Sequence, residues 1–171
     1  MTPLFLAPAL LAGLLASASA SAAAQAAVIE LDGIGLSRDV PCNGQAVNIS
    51  GNGNRIQLTG DCGAVEVYGS DHQVSLQRAA ALTVSGAENS VQAEAVGSLS
   101  VDTNRNRVRT AIVAGAEPAV VEVSGAEHEL ELRFDVPAQV SVEGADNQLL
   151  WQGQEPHFAV GGVDQRIERK P

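Results

Sequence analysis

The sequence predicts an all-β chain: a single-domain parallel β-solenoid, or β-helix, of about seven short coils. Three observations lead there. A phrase of the form apolar-x-apolar-x-Gly-x-x-Asn-x-apolar-x-apolar returns seven times, and a fixed period of this kind marks a repeat architecture. Within each copy apolar and polar residues alternate, which is the period of a strand. The residues at the glycine place are Gly51, Gly69, Gly86, Thr103, Gly125, Gly144 and Gly162, with steps of 18, 17, 17, 22, 19 and 18 residues. Hairpins are the alternative. They are disfavoured because every unit repeats one order of residue types, with its turn at one offset. Like stacked on like gives parallel ladders, and the general crossover preference favours a right-handed winding.

The first element is a targeting segment. Leu4 to Leu15 is apolar but shorter than the ~20 residues a spanning helix needs. Small residues from Ala16 to Ala24 offer several Ala-x-Ala sites. The expectation is a signal peptide over residues 1–24, cleaved after Ala24. Cleavage after Ala20 and a retained membrane anchor are the alternatives. A periplasmic or secreted protein follows from this reading. Residues 25–45 are expected to cap the first coil, 46–167 to form the repeats, and 168–171 to be a charged tail protecting the last edge.

Positions within the repeat can be numbered from its first apolar residue, so that Val47 is position one. Positions one, three, ten and twelve are then Val, Ile or Leu in most units, and these columns should make a continuous core. Position five is glycine, which takes positive φ without a Cβ penalty. Position eight reads Asn54, His72, Asn89, Asn106, His128, Asn147 and Gln165. Stacked amides along an axis form ladders, so this column is read as structural. The fourth and fifth units also match in charge. Arg105, Arg107 and Arg109 occupy positions seven, nine and eleven of one, and Glu127, Glu129 and Glu131 the same places of the next. A three-rung Arg/Glu ladder is expected there, each exposed pair being worth about 0–1 kcal/mol. The long step between these units, Ala111 to Pro118, should bulge as a loop.

Cys42 and Cys62 are the only cysteines. An even pair in an exported chain reads as a disulfide, with two free thiols as the alternative. Neighbouring coils about 4.8 Å apart lie within bridging distance.

The residues Gly33-Ile34-Gly35-Leu36, Cys42-Asn43-Gly44, Val47-x-Ile49-x-Gly51-x-Gly53-Asn54, Leu58-Thr59-Gly60-Asp61-Cys62-Gly63 and Val65-x-Val67-x-Gly69 resemble a family of exported bacterial proteins known as domain of unknown function family 3060. The resemblance implies a repeat β fold, a Cys42–Cys62 bridge and an envelope location. It implies no activity.

Function is less legible. The net charge is −10, which argues against nucleic acid. Paired carboxylates suited to glycoside chemistry could come from Asp71 with Glu88 or Glu127 with Asp146, each pair sharing position seven of adjacent units. Tyr68 is the one aromatic residue at an outward position; Trp151 and Phe158 fall on core columns. His72 and His128 lie about three coils apart, too far for one metal ion. No cofactor is expected, and no transmembrane segment after signal cleavage. The first reading is a non-enzymatic, monomeric structural or binding module of the envelope, with a protein or glycan partner. The rival is a small carbohydrate-active enzyme.

Overall fold

The computed structural model describes residues 27–115 and 118–171. The expected signal peptide and its cleavage sites lie outside the described residues. Fourteen strands join in one sheet, and every pairing is parallel. The first coil holds β1 (Ile29–Ile34) and β2 (Ser37–Asn43), and the second begins with β3 (Val47–Asn52). Two long strands, β4 (Arg55–Ser70) and β5 (Gln73–Ala87), each run from one coil into the next. They are followed by β6 (Ser90–Val96), β7 (Leu99–Val101), β8 (Arg107–Ile112), β9 (Ala119–Ala126) and β10 (Glu129–Phe134). The last two coils carry β11 (Ala138–Ala145), β12 (Gln148–Gly153), β13 (His157–Val160) and β14 (Arg166–Arg169).

The register between coils is the register of the repeat. Val47 lies beside Val65, Val65 beside Leu82, and Leu82 beside Leu99. Ile49, Val67 and Val84 are fully buried. Stacking makes each column a row of direct neighbours. Four such rows enclose the core, together with Val96, Ile112 and Phe134 from the third side. Burying one Val or Leu side chain stabilises by about 1.5–3 kcal/mol, and here nearly every core side chain sits on one of its own kind. Trp151 widens the core towards the C-terminal end, with edge-on contact to Phe134 at 6.4 Å and a tilted contact to Phe158 at 5.8 Å.

The chain makes about eight coils rather than seven. Residues expected to cap the first coil are themselves a coil: β1 pairs with β3, Ile29 against Val47 through Ile34 against Asn52, and β2 pairs with β4. Ile29-x-Leu31-x-Gly33 follows the repeat, but Leu36 stands at position eight and Arg38 at position ten. Those two departures hide the unit in the sequence. At the other end Glu168 and Arg169 belong to β14 rather than to a tail. The long step after β8 starts later than expected, because Ala111 and Ile112 are buried in that strand.

Cys42 and Cys62 are bonded, with Cα atoms 4.9 Å apart, and both are buried. The bridge ties β2 to β4 just past the place, between Leu58 and Asp61, where the register of β4 with β5 shifts. It closes a loop of 20 residues, for which chain entropy alone gives about 3 kcal/mol. Reduction, or Cys42→Ser with Cys62→Ser, should lower the unfolding free energy by about that amount. Chemical denaturation with and without reductant checks this, and an unchanged midpoint would contradict it.

Candidate functional site

The polar chemistry of the chain is organised in three columns. The inner one is position eight, whose side chains from Asn54 to Asn147 are at most 1 % exposed. Each side chain accepts the backbone N–H of its counterpart one coil earlier. Leu36 N–H donates to Asn54 Oδ1, Asn54 N–H to His72 Nδ1, and His72 N–H to Asn89 Oδ1. Asn89, Asn106 and His128 N–H continue to Asn106, His128 and Asn147 at 3.0–3.1 Å. On its other side each amide donates twice. Asn106 Nδ2, for example, reaches Asp102 O at 2.7 Å and Gly86 O at 2.9 Å. From Asn54 to Asn147 the spine thus closes the corner of each coil from within and uses up its own hydrogen-bonding groups.

Histidine substitutes for asparagine because it offers the same two functions. Nδ1 accepts from the preceding coil, while Nε2 faces Tyr68 O in His72 and Ser124 O in His128, both at 3.0 Å. A carbonyl partner demands a donor, so in both rings Nε2 carries the proton and Nδ1 is left to accept. Burial pushes the His128 pKa below its usual value, only partly offset by the Ser124 carbonyl and by Asp102. A proton on Nδ1 would also face the N–H of Asn106. With the folded pKa depressed, this stability is present above the unfolded pKa of about 6.5 and is lost as pH falls through the folded value. Melting temperature should therefore drop as pH falls from about 6.5 towards the folded value, and His128→Asn should flatten the drop while keeping the spine. An equally steep drop in the variant would contradict it.

The spine ends imperfectly. Gln165 Nε2 donates to Gly144 O at 2.7 Å, but its Oε1 is buried without a partner. In the pattern of the earlier coils this oxygen would accept the N–H of Asn147, and glutamine is one methylene longer than the asparagine that makes that bond elsewhere. Gln165→Asn is expected to restore that bond and stabilise by about 1 kcal/mol, measured as a higher melting temperature. No gain would show that the methylene is not the cause.

The second column is position seven, at the outer corner. Asp71, Glu88, Arg105, Glu127, Asp146 and Asp164 all have φ between 50° and 60°, the left-handed region that most side chains avoid. Here lie the carboxylates singled out for chemistry, all exposed on the corner. Arg105 stands between Glu88 and Glu127 in this column and bonds Glu88 through Nε and a terminal nitrogen at 3.2 and 3.0 Å. The expected three-rung ladder is therefore reduced to two rungs across β8 and β10: Arg107 with Glu129, and Arg109 with Glu131. Arg105 has an acid on either side, and it takes the one on the N-terminal side. Glu131 also bonds Lys170; that contact first, and Arg109 after it, hold its carboxyl below the usual carboxylate range. Beside the corner a cavity of about 360 Å³ is lined by Arg105, Arg107, Glu127, His128, Glu129 and Asp146 among others.

The third feature is the outer face made by positions nine and eleven. Cavities of about 550 and 340 Å³ share Ser90, Gln92 and Arg107 and so form one groove along the axis. Its middle is neutral and hydrogen-bonding: Gln57, Gln73, Ser75, Ser90 and Gln92. A short serine beside a long glutamine on the adjacent strand makes the depression. The face formed by positions two and four is different. It carries Glu30, Asp32, Glu66, Asp102, Glu122 and Glu143 and none of the ten Lys and Arg residues. Tyr68 lies on that face, 42 % exposed. The alternation of the sequence shows both faces to be polar, but their difference in charge appears only when the columns are aligned.

Among the described residues no group of three or more His, Cys, Asp or Glu side chains is placed to hold a metal ion, and no helix is long and apolar enough to cross a membrane. The disulfide fits an oxidising compartment rather than a reducing cytosol. The model of a family described as a protein of unknown function, DUF3060, matches residues 49–106. No curated protein and no solved structure matches the chain.

Proposed function

Residues 49–106 match the DUF3060 family model, and from that premise we propose that the protein is a non-enzymatic exported β-solenoid, a structural or binding module of the bacterial cell envelope. The groove along positions nine and eleven carries this reading. It presents hydrogen-bonding side chains at the strand spacing of about 4.8 Å over successive coils, an extended surface of the kind repeat proteins use for recognition. The partner is an envelope glycan or protein. Export to the periplasm or beyond agrees with the disulfide and with the apolar and Ala-rich first 24 residues.

The rival reading is a small carbohydrate-active enzyme, favoured by one observation: Glu127 and Asp146 line a common cavity with Arg105. A screen of the purified protein against cell-wall and extracellular glycans separates the two. Saturable binding without product, weakened by Gln73→Ala with Gln92→Ala, supports a module. Turnover abolished by Glu127→Gln overturns it.

A further inference from the structure

A solenoid has two ends, and in this one they are unlike its interior. Among the described residues six large hydrophobic side chains are exposed, and Val28, Ile34, Val160 and Val163 of these lie in the first or last coil. Position six is the most telling column. Its register is continuous from Ile34 to Asn52, Ser70, Ala87, Asn104, Ala126, Ala145 and Val163. Every interior residue there is Asn, Ser or Ala, small or polar as an outer corner requires. Only the two terminal coils carry a large apolar side chain, Ile34 at 82 % exposure and Val163 at 62 %. Water contact alone gives no reason for either, and the other coils show that the fold does not need them.

We propose that the chain associates with a second copy of itself head to tail, the last coil of one stacking on the first coil of the next. The register that joins coils within the chain then continues across the contact. Val163 meets Ile34, Phe158 meets Ile29, and Val160 meets Leu31. The outward neighbours on this half are the uncharged Ala159 beside Glu30 and Gly161 beside Asp32; the Glu143 carboxylate, which lies over Gly161, is the one like charge brought near Asp32. Among the described residues both strands involved have an open side, since β1 pairs only with β3 and β13 only with β11. Such a contact is heterologous and does not close on itself, so it generates open stacks rather than a fixed oligomer.

The other half of each end face limits the association. Arg38 takes the core position ten of the first coil, and Pro41 in β2 lacks an N–H to donate. Arg169 takes core position twelve of the last coil and lies over the Trp151 ring at 5.0 Å from its centroid. Inward charge and edge proline are devices that blunt β edges. Stacking brings Arg38 near Arg169 and Asp39 against Glu168. The contact is therefore weak and reversible, with apolar attraction on the β1/β13 half and charge opposition on the β2/β14 half. It needs no ligand, so it stands or falls apart from the groove.

The test uses the absence of any free thiol: both cysteines are in the disulfide. Ile34→Cys and Val163→Cys proteins are prepared separately, checked by circular dichroism, mixed and mildly oxidised. Head-to-tail stacking predicts that crosslinks joining one variant to the other exceed those joining two chains of the same variant by about tenfold, a preference worth ~1.4 kcal/mol. Homodimers in equal amount, or no crosslink in any mixture, overturn it; the first would mean random or like-end encounters, the second an end that serves some other extended strand. A second readout does not depend on added thiols. Arg38→Ser with Arg169→Ser should sediment as concentration-dependent oligomers, and adding Val163→Asp should return it to monomer. A double-Arg variant that remains monomeric at every concentration overturns the proposal equally.

Discussion

Gly144→Ala is expected to destabilise the protein by about 4 kcal/mol or prevent folding, the sum of a buried clash and a strained backbone. A Cβ built on Gly144 lies 1.9 Å from the Gly125 carbonyl oxygen, and its φ of 115° is one that side chains rarely adopt. The obstacle is backbone of the coil beneath, so no rotamer change relieves it. Gly35→Ala is the matched control. It too has positive φ, 64°, but nothing lies within 4 Å of its Cβ, and its cost should be about 1–2 kcal/mol of left-handed strain alone. Urea unfolding of the two variants checks the difference; equal losses would mean that the stacked carbonyl is not what excludes a side chain. Thr103 shows how the chain escapes this rule once. Its φ is 76°, where the position-five glycines from Gly51 to Gly144 exceed 100°, β7 stops two residues earlier at Val101, and its hydroxyl accepts the Gly86 N–H at 3.3 Å while donating to Asp102 at 2.6 Å. The β-branched residue is accommodated by giving up strand continuity.

Asn106→Leu should cost about 3 kcal/mol or more, since each buried polar group left without a partner costs about 1–3 kcal/mol. The side chain is fully buried. Its loss orphans the Asn89 N–H and withdraws the donor from Asp102 O and Gly86 O. Leucine is similar in size, so the effect is one of hydrogen bonding more than of volume. An Arg107→Ala change one residue away removes an exposed ion pair with Glu129 and serves as the comparison, with a cost of at most about 1 kcal/mol. If Asn106→Leu cost no more than Arg107→Ala in the same denaturation assay, the spine would not be a main source of stability.

These two columns also mark how far the sequence could be read. Glycine at position five and asparagine at position eight recur at one offset, so their shared environment is legible without coordinates. Histidine in place of asparagine at residues 72 and 128 becomes understandable only when Nδ1 and Nε2 are seen to occupy the places of Oδ1 and Nδ2. The first coil was obscured for a similar reason: Ile29-x-Leu31-x-Gly33 follows the pattern, but Leu36 replaces the amide at position eight and Arg38 the apolar residue at position ten. Arg105 marks another limit. The column assigns it two acidic neighbours, and in the structure its guanidinium pairs with Glu88.

By itself the sequence determined the all-β class, the parallel stacking of coils, the core columns and the structural role of position eight. Those properties depend on a period, and a period is a local property repeated. Tertiary structure alone decided which charges pair, where the groove runs, that the two faces differ in charge and that the ends carry Ile34 and Val163 out of keeping with their column. Each of these depends on what lies one coil above or below, a whole repeat away along the chain, where side-chain reach and backbone spacing rather than residue type choose the partner.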